Sequence, residues 1–160
     1  MKKYFLFLVT VTISLFLISC KKENVPSRVD INTSPNYNIG QIGPSDTVIV
    51  GSYSVWNPSN QNITVYSVNL QTATGSIFSG ISYRFVNSGT WTTFTDDLSV
   101  VLNKILQPGE STIPFNVRIS TLSRTNGYIP GVKVVFKIRT ISTNIGEIVP
   151  ASNTEISFVL

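Results

Sequence analysis

The sequence predicts an all-β sandwich, and three observations carry that expectation. Ser, Thr and Asn number 20, 17 and 14 of 160 residues while charged residues make up 12%, about half the usual share, and polarity without charge suits exposed strand faces and tight turns. β-Branched and aromatic residues are abundant, which excludes a disordered chain. Apolar side chains also recur at every second position in short runs bounded by Gly, Pro and Asn, the period of a strand with one buried face. The expected organisation is a leader over 1–19, a flexible tether over 20–45, and one antiparallel β-sandwich of about seven strands over 46–160. That last span matches the roughly 100 residues such a sandwich needs.

The leader has three parts. Met1-Lys2-Lys3 is positive, 4–18 is apolar apart from Thr10, Thr12 and Ser14, and small Ser19 precedes Cys20, the only cysteine. This is the plan of a secretory signal peptide. The apolar run is shorter than the roughly 20 residues that cross a bilayer core as a helix, and no stop-transfer pattern follows. Residues 21–45 mix charge, Asn, Gly and Pro26, Pro35 and Pro44 without sustained periodicity. A flexible chain of that length averages about 25 to 30 Å end to end. Short apolar pieces at 29–31 and 39–42 leave room for an additional edge strand.

Strands follow in order. Residues 47–56 are β-rich, with Gly51 marking a bulge or close packing, and Asn57-Pro58-Ser59-Asn60 is a turn in which proline fixes φ and asparagine tolerates unusual angles. In 63–70 both faces are partly apolar, as expected near a sandwich centre. Ile81, Tyr83 and Phe85 alternate with Ser82 and Arg84, and Asn87-Ser88-Gly89-Thr90 offers a hairpin turn into 91–95. Pairing Asn87 with Thr90 sets Val86 opposite Trp91 and Tyr83 opposite Phe94. The run 98–106 fits both a strand and a helical face through Leu98, Val101, Leu102 and Ile105, with context favouring a strand.

Gln107-Pro108-Gly109-Glu110-Ser111 is a turn, and beyond it Ile113, Phe115, Val117 and Ile119 alternate with polar residues. Pro114 cannot donate to a ladder, so this strand is expected at an edge or beginning with a bulge. After a loop over 121–131, the run 132–141 points Val132, Val134, Phe136 and Ile138 inward. Residues 144–153 turn back, and 155–160 close the domain with Ile156, Phe158 and Leu160 on one face.

Charge excludes one class of partner. The formal charge is +4, from 12 basic and 8 acidic residues; loss of Lys2 and Lys3 with the leader leaves 10 against 8, and setting aside Lys21, Lys22 and Glu23 leaves 8 against 7. A near-neutral domain has no basic stripe for nucleic acid. There is no histidine, so histidine triads and histidine metal sites are excluded, and no glycine-rich phosphate loop appears. Asp96-Asp97 lacks the spacing of a calcium loop and reads as a solvated turn. No acid spacing points to a pair facing across a cleft. The expectation is therefore no catalytic residue, no metal and no cofactor.

Aromatic residues are the remaining candidates. Trp56, Trp91, Tyr53, Tyr66, Tyr83 and Phe94 either fill the core, as rings do in sandwiches, or present a face that stacks a sugar or grips a protein. Trp91, Phe94 and Tyr83, around the hairpin, are the candidate ligand-binding set, and Trp91 at its tip is the one expected to be exposed.

Two resemblances extend this reading. Leu17-Ile18-Ser19-Cys20 resembles a bacterial lipobox. In that family a diacylglycerol is attached to the cysteine sulfur and the leader is cut just before it, so Cys20 is implied to be the lipidated first residue of the mature chain. Thiol nucleophilicity and the stability of anchoring by two or more acyl chains agree with this. Lys21 stands where aspartate marks inner-membrane retention in enteric bacteria, which implies outer-membrane delivery. The implied partner is the membrane, through lipid on Cys20.

Val55-Trp56-Asn57-Pro58 leading into 63–70, Leu106-Gln107-Pro108-Gly109-Glu110-Ser111 leading into an alternating strand, and Gly127-Tyr128 before 132–141 are similar to bacterial immunoglobulin-like sandwiches of cell-surface proteins. The chain departs from antibody-type domains in lacking their inter-sheet disulfide and the tryptophan packed on it. Together these imply a lipid-anchored, non-enzymatic binding or structural module of the cell envelope, with a protein or glycan ligand and no nucleic acid. Carbohydrate binding through exposed aromatics is the alternative.

Overall fold

A computed structural model describes residues 27–36, 39–72, 78–95 and 97–160. The leader, Cys20 and Asp96 lie outside them. The fold is an all-β sandwich of two sheets. Its strands are β1 (Asp30–Pro35), β2 (Thr47–Trp56), β3 (Ile63–Thr72), β4 (Phe78–Phe85), β5 (Thr92–Thr93), β6 (Ser99–Leu106), β7 (Phe115–Thr121), β8 (Lys133–Thr143), β9 (Gly146–Ile148) and β10 (Ile156–Val159). One sheet has the order β1-β2-β7-β4-β5, and the other has the order β10-β8-β3-β6 with β9 also paired to β8. Every pairing is antiparallel. This is the fold class the alternating runs predict.

Alternation decides which face is inside. In β7, Phe115, Val117, Ile119 and Thr121 are buried while the residues between them are partly exposed, and β8 and β10 repeat the pattern. The two inward faces meet around Tyr53, Phe115 and Phe136, all fully buried. Tyr53 bridges the sheets, its ring centroid 5.9 Å from Phe115 and 6.1 Å from Phe136. Such ring pairs add to the area they bury.

Three local expectations change, and a fourth, the strand favoured over 98–106, holds with its ambiguity explained. First, the sandwich starts well before residue 46. β1 lies inside the segment expected to be tether and pairs along its whole length with β2, from Asp30 opposite Trp56 to Pro35 opposite Gly51. Val29, Ile31 and Ile42 are buried in the core. Asp30 fastens the start of this strand, its Oδ1 accepting from the backbone N–H of Ile31, Ala151 and Ser152 at 2.8, 3.1 and 3.3 Å. With the two-residue β5 and the short β9, this strand brings the count among the described residues to ten, against the expected seven or so.

Second, β7 is central, between β2 and β4. Pro114 sits just ahead of it, where the missing N–H costs no ladder bond, and its carbonyl accepts from Val86 N at 2.9 Å. Ile113 turns outward and is exposed. Third, the β4–β5 register is two residues from the expected one: Ser82 faces Thr93 and Tyr83 faces Thr92. A slip of two keeps each side chain on its face, and the Tyr83 and Phe94 rings still meet at 5.0 Å.

Fourth, 99–106 is a strand whose helical look has a cause. Val65 pairs with Lys104 and Ser67 with Val101, so β6 carries an extra residue between those pairs. Asn103 there has φ of 45°, a left-handed conformation that asparagine tolerates better than most residues. The bulge breaks the period of two.

Asn57 does more than shape a turn. It is fully buried; its Nδ2 donates to Gln61 O at 2.8 Å and Leu106 O at 3.0 Å, while its Oδ1 accepts from Ser59 N at 3.0 Å and Ser59 Oγ at 2.6 Å. Its backbone N–H donates to Glu110 O at 3.0 Å and its carbonyl accepts from Gly109 N at 2.8 Å. One residue thus ties loop 57–62 together and to the end of β6 through its side chain, and to loop 107–114 through its backbone.

Candidate binding surface

The outward face of the first sheet holds the most unusual side-chain arrangement. Pairing of Ile81 with Ile119 and Tyr83 with Val117 fixes the inward face of β4 and β7, so Arg84 and Arg118, on the alternate positions, point outward. Continuing the β4–β5 register places Trp91 beside Arg84 on that same outward side. The Arg118 guanidinium carbon lies 4.3 Å from the Trp91 ring centroid and that of Arg84 lies 4.8 Å away. Both are within cation–π range.

Neither arginine has an anionic partner among the described residues. The single ion pair among the described residues joins Lys104 to Glu110 at 3.1 Å. The Nε atoms of Arg84 and Arg118 are buried without a hydrogen-bond partner, a state that calls for a specific reason in a folded protein. Their neighbours across the strands are neutral: Ser82 lies opposite Arg118, Asn116 opposite Arg84, and Ile49 opposite Arg118 on the other side. The cluster is two fixed positive charges on a polar, uncharged strand surface, organised by one indole.

The three aromatic candidates separate. Trp91 is half-buried under the guanidiniums and belongs to the outward face. Tyr83 and Phe94 are partly buried and packed against the core, Tyr83 also meeting Phe85 edge-on at 5.9 Å, so they support the hairpin from inside. Arg84 and Arg118 were missing from the candidate set. They sit on different strands with no motif spacing to join them, and the available signal was their outward place in two alternating runs beside an outward tryptophan.

Two open clefts flank this surface. One of about 450 Å³, between loops 39–46 and 122–132, is lined by Gln41, Gly43, Pro44, Arg124, Tyr128 and Pro130. Its tyrosine is committed to structure, the hydroxyl donating to Ile42 O at 2.6 Å. The other, about 350 Å³, opens at the opposite end of the sandwich among Phe85, Leu102, Ile113 and the Lys104–Glu110 pair. The Glu110 carboxyl is held below its ordinary value of 4.5, first by the backbone N–H of Gln107 and then by Lys104. No group of three His, Cys, Asp or Glu side chains suited to a metal occurs among the described residues.

No protein-family model and no curated protein matches the chain. Among solved structures it is similar to a PapD-like domain of human CEP192, at 12% identity and a TM-score of 0.37 over 87% of this chain and 89% of that one. It is also similar to AggA, the major subunit of aggregative adherence fimbriae type I from Escherichia coli, at 19% identity and a TM-score of 0.35 over 85% of this chain and 96% of that one.

Proposed function

We propose that the protein is a lipid-anchored binding module of the bacterial cell envelope, without catalytic activity, that recognises carboxylate-bearing glycans on the outward face of its first sheet. The carrying observation is the pair of arginines held by Trp91, with no carboxylate partner among the described residues and with their Nε atoms buried and unpaired. Guanidinium is suited to planar, bidentate recognition of carboxylates. Stacking on an indole fixes the two cations before a ligand arrives, which lowers the entropic cost of binding. Because guanidinium groups cover Trp91, its part is to position them rather than to stack a bare sugar ring.

The anchor is read from Leu17-Ile18-Ser19-Cys20, with the outer membrane as destination. Substitution Cys20→Ser is expected to abolish incorporation of labelled fatty acid and to release the protein from membranes. For the ligand, calorimetry against uronate-containing and neutral oligosaccharides is expected to show binding of the acidic set alone, weakened by salt. Arg118→Gln with Arg84→Gln is expected to remove it. Equal binding of neutral sugars, or retention by the double variant, overturns the assignment.

A further inference from the structure

We infer that the end of the sandwich where β1 begins is apposed to the lipid surface, so that loops 86–90 and 107–114, the 144–145 turn and the strand ends beside them form a membrane-contacting crown. This rests on the lipid-anchor reading of Cys20.

The length of chain outside the fold sets the geometry. Val29 is buried and β1 starts at Asp30, so eight residues, 21–28, separate Cys20 from the sandwich. Fully extended they reach roughly 26 to 29 Å, and as a flexible chain they average about 14 to 17 Å. Ten-residue β2 alone spans about 33 Å. The domain is therefore held by one end, close to the bilayer.

That end is defined by its contacts. Ser27 Oγ donates to Gln61 Oε1 at 3.2 Å, Asp30 lies opposite Trp56, Trp56 bridges to Ser111, Val86 N donates to Pro114 O, and Asn144 N donates to Thr64 O. Five large apolar side chains are exposed there: Trp56, Val86, Ile105, Ile113 and Ile145. They are five of the eleven exposed large hydrophobics among the described residues, and the opposite end holds Ile129 and Val159. They come from five separate segments, which no single strand pattern explains. Exposed Arg28 and the basic residues Lys21 and Lys22 lie in the connecting chain. Apolar side chains with an aromatic and nearby cations, beside an attached acyl chain, are the composition of a surface that rests in a lipid interface.

The test uses the full lipidated protein. With Cys20 blocked by lipid, Val86→Cys, Ile113→Cys or, as the far-end control, Ile129→Cys provides one free thiol at an exposed position. Each is labelled with an environment-sensitive fluorophore and reconstituted into vesicles of phosphatidylethanolamine and phosphatidylglycerol. Quenching by nitroxide lipids is expected to be several-fold stronger at positions 86 and 113 than at 129, with the reverse order for aqueous iodide. Equal quenching in a protein whose Cys20 carries lipid by mass spectrometry overturns the membrane apposition and leaves the anchor intact. A Cys20 found unmodified, with the protein in the aqueous phase of a detergent partition, overturns the anchor itself and the apposition with it.

Discussion

Asn57 offers the sharpest test of how the loops at the β1 end are held. Replacement by alanine removes two donors from the Gln61 and Leu106 carbonyls and the acceptor of Ser59 N; the Ser59 hydroxyl retains a second acceptor in Gln61 O at 3.1 Å. At about 1 kcal/mol net per bond, more where a buried group stays unpaired, Asn57→Ala is expected to cost about 3 kcal/mol. Asn57→Asp keeps the Ser59 bonds but sets a carboxylate oxygen where Nδ2 stood, 2.8 and 3.0 Å from two carbonyl oxygens. Burial and these oxygens raise the new carboxyl's folded pKa, so its folded form favours the proton: stability is fully present below the unfolded carboxyl's value of about 3.9 and is lost as pH rises from there through the folded value. At neutral pH the aspartate variant is expected to be the less stable of the two, and in mild acid the order inverts. Urea unfolding followed by tryptophan fluorescence measures this, 3 kcal/mol lowering the midpoint by about 1 to 2 M for a domain of this size. An alanine variant within about 0.5 kcal/mol of the parent, the range of ordinary surface changes, or an aspartate variant whose rank ignores pH, refutes the reasoning.

Gly51 is closed to any side chain. A Cβ there lies 2.7 Å from Tyr53 Oη and 2.9 Å from Cζ, and fully buried Tyr53 has nowhere to retreat, so Gly51→Ala is expected to destabilise by about 1 to 3 kcal/mol; an unchanged melting temperature counts against that packing. Asp30→Ala frees the N–H groups of Ala151 and Ser152 and is expected to speed amide exchange along the β1–β2 ladder well before global unfolding, whereas unaltered protection removes the fastening role. The lowered Glu110 pKa contributes stability that is present above 4.5 and lost as pH falls through the folded value. Titrating the Gln107 amide by NMR should give a midpoint below 4.5 that rises in Lys104→Met without reaching 4.5, because the backbone bond is the larger cause; a full return to 4.5 shows that Lys104 alone sets it.

The strands that were plain in the sequence are those whose burial is one-sided. Phe115, Val117 and Ile119, and Val134, Phe136 and Ile138, are buried at every second position, and each inward side chain declares its face. β1 was obscure because Ile31, with Val29 just ahead of it, is its aliphatic contribution to the core and Pro35 reads as loop, while its backbone pairing with β2 leaves no mark on side-chain pattern. Register between β4 and β5 was undetermined for a related reason: two alignments differing by two residues bury the same rings. Asn57 was legible as a turn residue but not as a buried fastener, since its partners Leu106 and Glu110 come from a distant part of the chain. Trp91 was found by its place at a hairpin, whereas the arginines that give it a role are joined only by the order of strands.

The bulge in β6 bears on how its open edge would meet another copy of the chain. β6 is a sheet edge with Val101 and Ile105 exposed, the kind of strand that recruits a second strand. Under the proposed lipid anchor, molecules would share two dimensions and a common orientation, where edges meet far more often than in solution. Left-handed Asn103 breaks the row of backbone donors and acceptors, and Lys104, on the same face as buried Val65, carries a charge that an incoming strand must cover. The irregularity that gave β6 its helical look interrupts the ladder that a neighbouring strand would need to extend this sheet.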